Sequence, residues 1–222
     1  TVVSLGVFAS TILAAGAQPA DIRHGLVAYW PLESHDGAAA QDATPFANTL
    51  MLAGTPTVSA GQHGNASTFD GGSTYLSNLH PADNYPVGGL PIYRAGRYTI
   101  AMWVKGAPQT AKYLFSHGNS TVNTPIFILQ TGQAAANNAK FDVVLRNDAN
   151  VTLLNHVVST TVVFDGNWHH IAWVDNAGSV RLYVDGVLDS ANFNYTPSGT
   201  FTFLNTVIGS LVRTTVSTGA IF

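Results

Sequence analysis

Apolar and polar residues alternate most regularly between Asp165 and Asp189, in the stretch DGNWHHIAWVDNAGSVRLYVDGVLD. Trp168, His170, Ala172 and Val174 interleave with His169, Ile171, Trp173 and Asp175. A period of two describes a strand with two distinct faces, and both faces are largely apolar. Asn176-Ala177-Gly178-Ser179 supplies turn residues. Val180–Val184 follows as a second strand, rich in β-branched and aromatic side chains. Asp185-Gly186, set between Val184 and Val187, predicts a two-residue hairpin turn, because a type I′ turn needs positive φ at both positions.

The same reading runs along the rest of the chain. Strands are expected at Gly25–Leu32, Thr49–Ala53, Ala66–Phe69, Thr74–Leu76, Tyr98–Lys105, Tyr113–Ser116, Ile126–Gln130, Phe141–Arg146, Val151–Leu154 and Thr206–Leu211. Ala134–Ala139 reads as a hairpin loop around Asn137-Asn138. Leu79–Arg97 carries Pro81, Pro86, Pro91, Gly88 and Gly89, and is long enough to be a lid or binding loop. Many short strands broken by frequent turn signals imply a sandwich or barrel.

Composition sharpens this picture. Hydrophobic residues make up 46% of 222, enough for a sizeable core, and only 9% are charged. The polar surface must therefore come from Thr, Ser, Asn, Gln and Gly, which suit strands and turns better than long helices. The net charge is −3 with nine scattered Lys and Arg, so nucleic acid is not an expected partner. No cysteine is present, which excludes disulfides and thiol chemistry. Val2–Ala17 is apolar and uncharged, and Ala15-Gly16-Ala17 has the form of a signal-peptidase site. Residues 1–17 are thus expected to be the remnant of a secretory signal, and 22–222 the folded domain. Sixteen residues is short for a membrane span, so no stable membrane insertion of the mature domain is expected. Sequons at Asn65, Asn119, Asn150 and Asn194 matter only in a glycosylating host.

Several segments resemble one family, the laminin-G-like, concanavalin A-like jelly rolls of secreted bacterial proteins. GLVAYWP at Gly25–Pro31 resembles its opening strand. GQHGNASTFDG at Gly61–Gly71 is similar to its Gly-x-x-Gly-x-Ala-x-x-Phe-Asp-Gly segment. Tyr98–Lys105 and Asp165–Val187 are similar to its Trp-Val-Lys strand and its Asp-Gly-x-Trp-His-His hairpin. The resemblance implies an all-β, two-sheet antiparallel jelly-roll sandwich. It also implies a further closing strand after Phe222, so the chain is expected to be part of a longer protein. Some relatives hold calcium near the first loop, which makes Asp42 and Asn48 candidate ligands. The competing reading of Asp42 is an Asx turn.

Catalytic signatures are sparse. Glycoside hydrolysis needs two facing carboxyl groups, and Glu33 is the only Glu. His169-His170 cannot easily chelate one ion, because neighbouring strand residues face opposite ways. One of the pair is expected among core aromatics and the other bonded at the surface. Trp30, Trp103, Trp168 and Trp173 are expected in the core. Tyr85 and Tyr93, in the Pro/Gly-rich loop, are the better candidates for stacking on sugar.

The expected function is a non-catalytic extracellular module, part of a larger secreted protein, that binds carbohydrate or a cell-surface or matrix partner, with a polysaccharide or glycoprotein surface as its target. Two alternatives stand beside it: a polysaccharide lyase or hydrolase of the same fold with an atypical site, and a structural spacer. Clustered His, Tyr, Arg or Asp on the concave face would favour the enzyme.

Overall fold

The computed structural model describes residues 2–8, 25–79, 90, 92, 96–213 and 222. Two antiparallel sheets carry these residues. The first contains β1 (Val2–Phe8), β2 (Leu26–Trp30), β5 (Thr57–Ala60), β6 (Asn65–Thr68), β8 (Arg97–Lys105), β13 (Trp168–Asn176), β14 (Ser179–Val184) and β15 (Val187–Leu188). Its order is β15-β14-β13-β8-β1-β6-β5, with β2 also paired to β1. The second contains β3 (Ala39–Ala40), β4 (Leu50–Ala53), β7 (Tyr75–Leu79), β9 (Tyr113–Gly118), β10 (Ile126–Thr131), β11 (Lys140–Arg146), β12 (Thr152–Val162) and β16 (Asn205–Ile208), in the order β12-β11-β10-β9-β16-β7-β4-β3. This is the jelly-roll sandwich expected. Among the described residues the only helical element is a 3-10 turn at Ala135–Asn137, inside the expected β10–β11 hairpin loop.

Alternation decides which side chains meet between the sheets. From β8, Tyr98, Ile100, Met102 and Val104 enter the core, joined by Ile171 and Trp173 of β13. Phe127 and Leu129 of β10 and Phe141, Val143 and Leu145 of β11 come from the opposite sheet. The Phe127 ring lies 6.2 Å from Tyr98 and 6.0 Å from Trp173, so it spans the interface between the layers. Truncating such a ring to alanine costs about 3–5 kcal/mol. The Asp185-Gly186 turn forms as expected, with φ of 52° and 80°.

Not every expectation holds. Trp30 and Trp173 are fully buried, but Trp103 and Trp168 are only partly buried. Trp103 belongs to the alternate set of β8 that leaves the core, and His63 and His170 meet its ring edge-on at 5.4 and 5.2 Å. His170 therefore lies outside the core. His169 sits between Asp185 and Asp165, with Nδ1 at 2.7 Å and Nε2 at 3.2 Å from their carboxylates. Burial works against its protonation, yet the two carboxylates raise its pKa. Val2–Phe8 forms a strand that pairs with β8, β6 and β2. Ala15–Ala17 lies outside the described residues.

Carboxylates hold the loops onto this sandwich. Asp189, after β15, accepts hydrogen bonds from Thr160 N, Thr161 N and Thr160 Oγ1 at 3.1, 2.8 and 2.9 Å, tying the first sheet to β12 of the second. Burial alone would raise its pKa, but these donors and Ala191 N bring it down to about 2. Asp42 Oδ1 accepts from Tyr29 N and Thr44 N, both at 2.9 Å. Its Oδ2 accepts from Thr44 Oγ1 at 2.7 Å and Asn48 N at 2.8 Å. The Asx turn is present, and the four acceptor sites of the carboxylate are filled.

Two predictions follow from these clasps. Because the Asp189 pKa is depressed on folding, its contribution is present above about pH 4 and is lost as pH falls toward 2. Asp189→Ala should lower unfolding stability in urea by about 1–2 kcal/mol at pH 7, allowing for solvent screening. The gap from wild type should close as the solution is acidified. Asp42→Ala should cost about 1–3 kcal/mol. Because the carboxylate is already saturated, the wild-type melting temperature should be the same in calcium and in a chelator.

Candidate functional site

One group of polar side chains is not absorbed by the scaffold. It lies on the face of the second sheet turned away from the core. On β11, Phe141, Val143 and Leu145 point inward, so Asp142 and Val144 point outward. On β10, Ile126 and Ile128 share that outer face, and Gln130 continues the row. Asp142 pairs with Val158 of β12. The sequence KFDVVLR thus puts one carboxylate in a strand otherwise built for burial, with its side chain only 1% exposed.

A bulge brings the partner. Val143 pairs with Val157, but Leu145 pairs with Leu154, so three steps of β12 face two of β11. The surplus is taken up beside His156, whose φ is 52°. A left-handed backbone costs a non-glycine residue about 1–2 kcal/mol, and such strain clusters at functional positions. It sets His156 Nδ1 at 3.2 Å from Asp142 Oδ2 and 3.2 Å from Gln130 Nε2. Gln133 N also donates to Asp142 Oδ2, at 3.2 Å. With Nδ1 protonated toward the Asp142 carboxylate, the lone pair lies on Nε2, and the Gln130 amide donates to Asp142 rather than to the ring. Nε2 has no partner among the described residues, and the ring is 31% exposed.

Asp142 Oδ1 is buried and has no hydrogen-bond partner among the described residues. Such an orphan costs about 1–3 kcal/mol and calls for an explanation. Burial pushes the Asp142 pKa up, opposed by the attraction of His156 and by the bonds from His156, Gln133 and Gln130. The carboxylate holds the imidazole by one oxygen and is itself under-solvated.

Above the pair lies a cavity of about 210 Å³, lined by Gln133, Ala134, Asn137, Asp142, His156 and Val158. Its rim is the β10–β11 loop. Gly132 allows that loop to fold back, since a Cβ there would collide with the backbone carbonyl of Asn137. The side-chain amides of Gln133 and Asn137 make no hydrogen bond among the described residues, so each offers donors and an acceptor to the cavity. The lining contains one carboxyl group, one imidazole and two free amides, and no Phe, Tyr or Trp ring. It suits hydrogen bonding to a small polar molecule.

The residues singled out from sequence fall elsewhere. Tyr85 and Tyr93 lie outside the described residues. Asp42 and Asn48 do come together, but they bond to each other and to the first loop. Asn48 Nδ2 donates to Val27 O at 3.0 Å, and Trp30 Nε1 donates to Asn48 O at 2.7 Å. No group of three or more His, Cys, Asp or Glu that could hold a metal ion occurs among the described residues. Asp142 and His156 were missed. The available signal was an acid in the middle of an apolar strand; the bulge that delivers His156 has no signature in sequence.

Solved structures similar to the chain include three carbohydrate-related modules. Domain 4 of an extracellular arabinanase from Geobacillus stearothermophilus, solved with arabinotriose, is 17% identical, with a TM-score of 0.49 over 72% of this chain and 68% of that one. The CBM40 module of the IT-sialidase from Ruminococcus gnavus is 18% identical, with a TM-score of 0.44 over 62% and 76%. The carbohydrate-binding module CBM66 from Bacillus subtilis is 11% identical, with a TM-score of 0.34 over 72% and 92%. No curated protein matches the chain in sequence. A family model described as the concanavalin A-like lectin/glucanases superfamily matches residues 70–221, more than half of the chain. With both sheets and the Trp-His-His hairpin in place, the chain belongs to the concanavalin A-like lectin/glucanase superfamily, in its laminin-G-like branch.

Proposed function

We propose that the chain is a non-catalytic, extracellular carbohydrate-binding module, and that sugar is held in the cavity beside His156. The observation that carries this reading is the buried Asp142 clasping His156 Nδ1, which leaves Nε2 and two unengaged amides around a space of about 210 Å³. Sugar hydroxyls both donate and accept, and this lining offers both roles. Membership of a lectin and glucanase superfamily supports the choice of ligand, although one fold hosts many functions. In this reading the module sits in a larger secreted protein and directs it to a polysaccharide or a glycoprotein surface. A net charge of −3 argues against nucleic acid. Among the described residues, no helix is long and apolar enough to cross a membrane.

The Asp142–His156 pair is also what a general base requires, and this favours the enzyme as a second reading. The lining supplies a single carboxyl group, however, where glycoside hydrolysis uses two. No nucleophilic hydroxyl or thiol lines the cavity.

Glycan-array binding followed by calorimetry tests both readings. His156→Ala should weaken binding at least tenfold, a loss of about 1.4 kcal/mol, in protein that still folds but melts lower because buried Asp142 loses a partner. Turnover of the bound glycan, abolished by His156→Ala, would support the enzyme instead. Binding left intact in both His156→Ala and Asn137→Ala would remove the cavity from the proposal.

A further inference from the structure

The cavity's chemistry restricts its ligand further than the word carbohydrate does. Resting on the reading above, we infer that it takes the terminal unit of an uncharged glycan and turns away acidic sugars.

Size supplies the first part. About 210 Å³ corresponds to the volume of roughly seven waters, which is the scale of one sugar ring. A glycan bound through several successive units needs a longer groove or a row of rings to lie on. Here the β10–β11 loop flanks one side, β12 flanks the other, and no Phe, Tyr or Trp lines the space. One unit enters and the rest of the glycan trails into solvent.

Charge supplies the second part. The lining contains no Lys or Arg. Its only acid, Asp142, is 1% exposed and has one oxygen without a partner. A carboxylate so poorly solvated is weakly screened, and it repels a second carboxylate brought within a few ångströms far more than water would allow. Lys140 stands two residues earlier on β11, outside the lining, and does not neutralise it. An acidic sugar would lose its hydration and find no Lys or Arg to meet it. A neutral sugar meets Nε2 of His156 and the amides of Gln133 and Asn137, all hydrogen-bonding groups without net charge while the imidazole is neutral.

Paired glycans test the inference. Each neutral-ended oligosaccharide on an array is compared with the same glycan capped by sialic acid and with one ending in a uronic acid. At pH 7.5 the wild type should bind the neutral end at least tenfold more tightly than either acid-ended partner. Asn137→Lys, a change in a partly exposed loop residue that should not disturb folding, should narrow or reverse that ratio. Asp142→Asn, nearly the same shape without the charge, should narrow it as well. Equal binding of neutral and acid-ended glycans by wild type would overturn the inference and leave the carbohydrate reading standing. So would tight binding of chains whose ends are blocked, or a ratio unmoved in Asn137→Lys. Failure of every glycan to bind would overturn both.

Discussion

The hydrogen bond from a loop N–H to an aspartate is the interaction on which the rest of this structure depends. A chain with so few charged residues and so many short strands has many turns to close and little else to close them with. Asp70 receives Gly72 N, Ser73 N and Thr74 N within a single turn. Asp148 binds Thr200 and Thr202 far along the sequence. Asp175 takes Gly178 N and the Tyr195 hydroxyl. Asp185 takes His170 N and His169. In each case the ionised form gains strong charge-assisted bonds, and the loop gains a fixed shape. The apolar layers between the sheets then pack against a frame whose corners are already set.

Against that background Asp142 is the exception. It has one oxygen without a donor, and one of its partners is the imidazole of a strained residue. The scaffold shows what a structural aspartate looks like here, and this one differs on each count. The functional reading rests on that contrast as much as on the cavity. The same contrast separates Asp142 from Asp42, whose four hydrogen bonds are of the kind that Asp70 and Asp148 make.

Most of the sandwich was legible in sequence because a period of two survives wherever one face of a strand is buried. Tyr98–Lys105, Phe141–Arg146 and the Trp168–Val184 hairpin all show it. Thr57–Ala60 and Ala39–Ala40 were not read because edge strands this short carry too few positions for a pattern. Trp103 and Trp168 were placed in the core because alternation tells two faces apart without saying which is solvated. The candidate site was least legible. Asp142 is one letter in an apolar run, and His156 reaches it through an irregular register that depends on the partner strand. Sequence pointed instead to loops rich in Pro, Gly and Asp, the usual home of binding residues.

The glycine at the base of the β10–β11 hairpin has a consequence for how such a module could diversify. The groups beneath the cavity, Asp142 and His156, belong to the ladder and are fixed by pairing. The groups at its rim, Gln133 and Asn137, belong to a loop that touches the ladder chiefly at its two ends. New side chains, or a longer loop, can therefore be grafted between Gly132 and Lys140 without re-registering any strand. The lower half of the cavity would stay constant while the upper half is rewritten, so one sandwich could be retuned from ligand to ligand by exchanging a single hairpin tip.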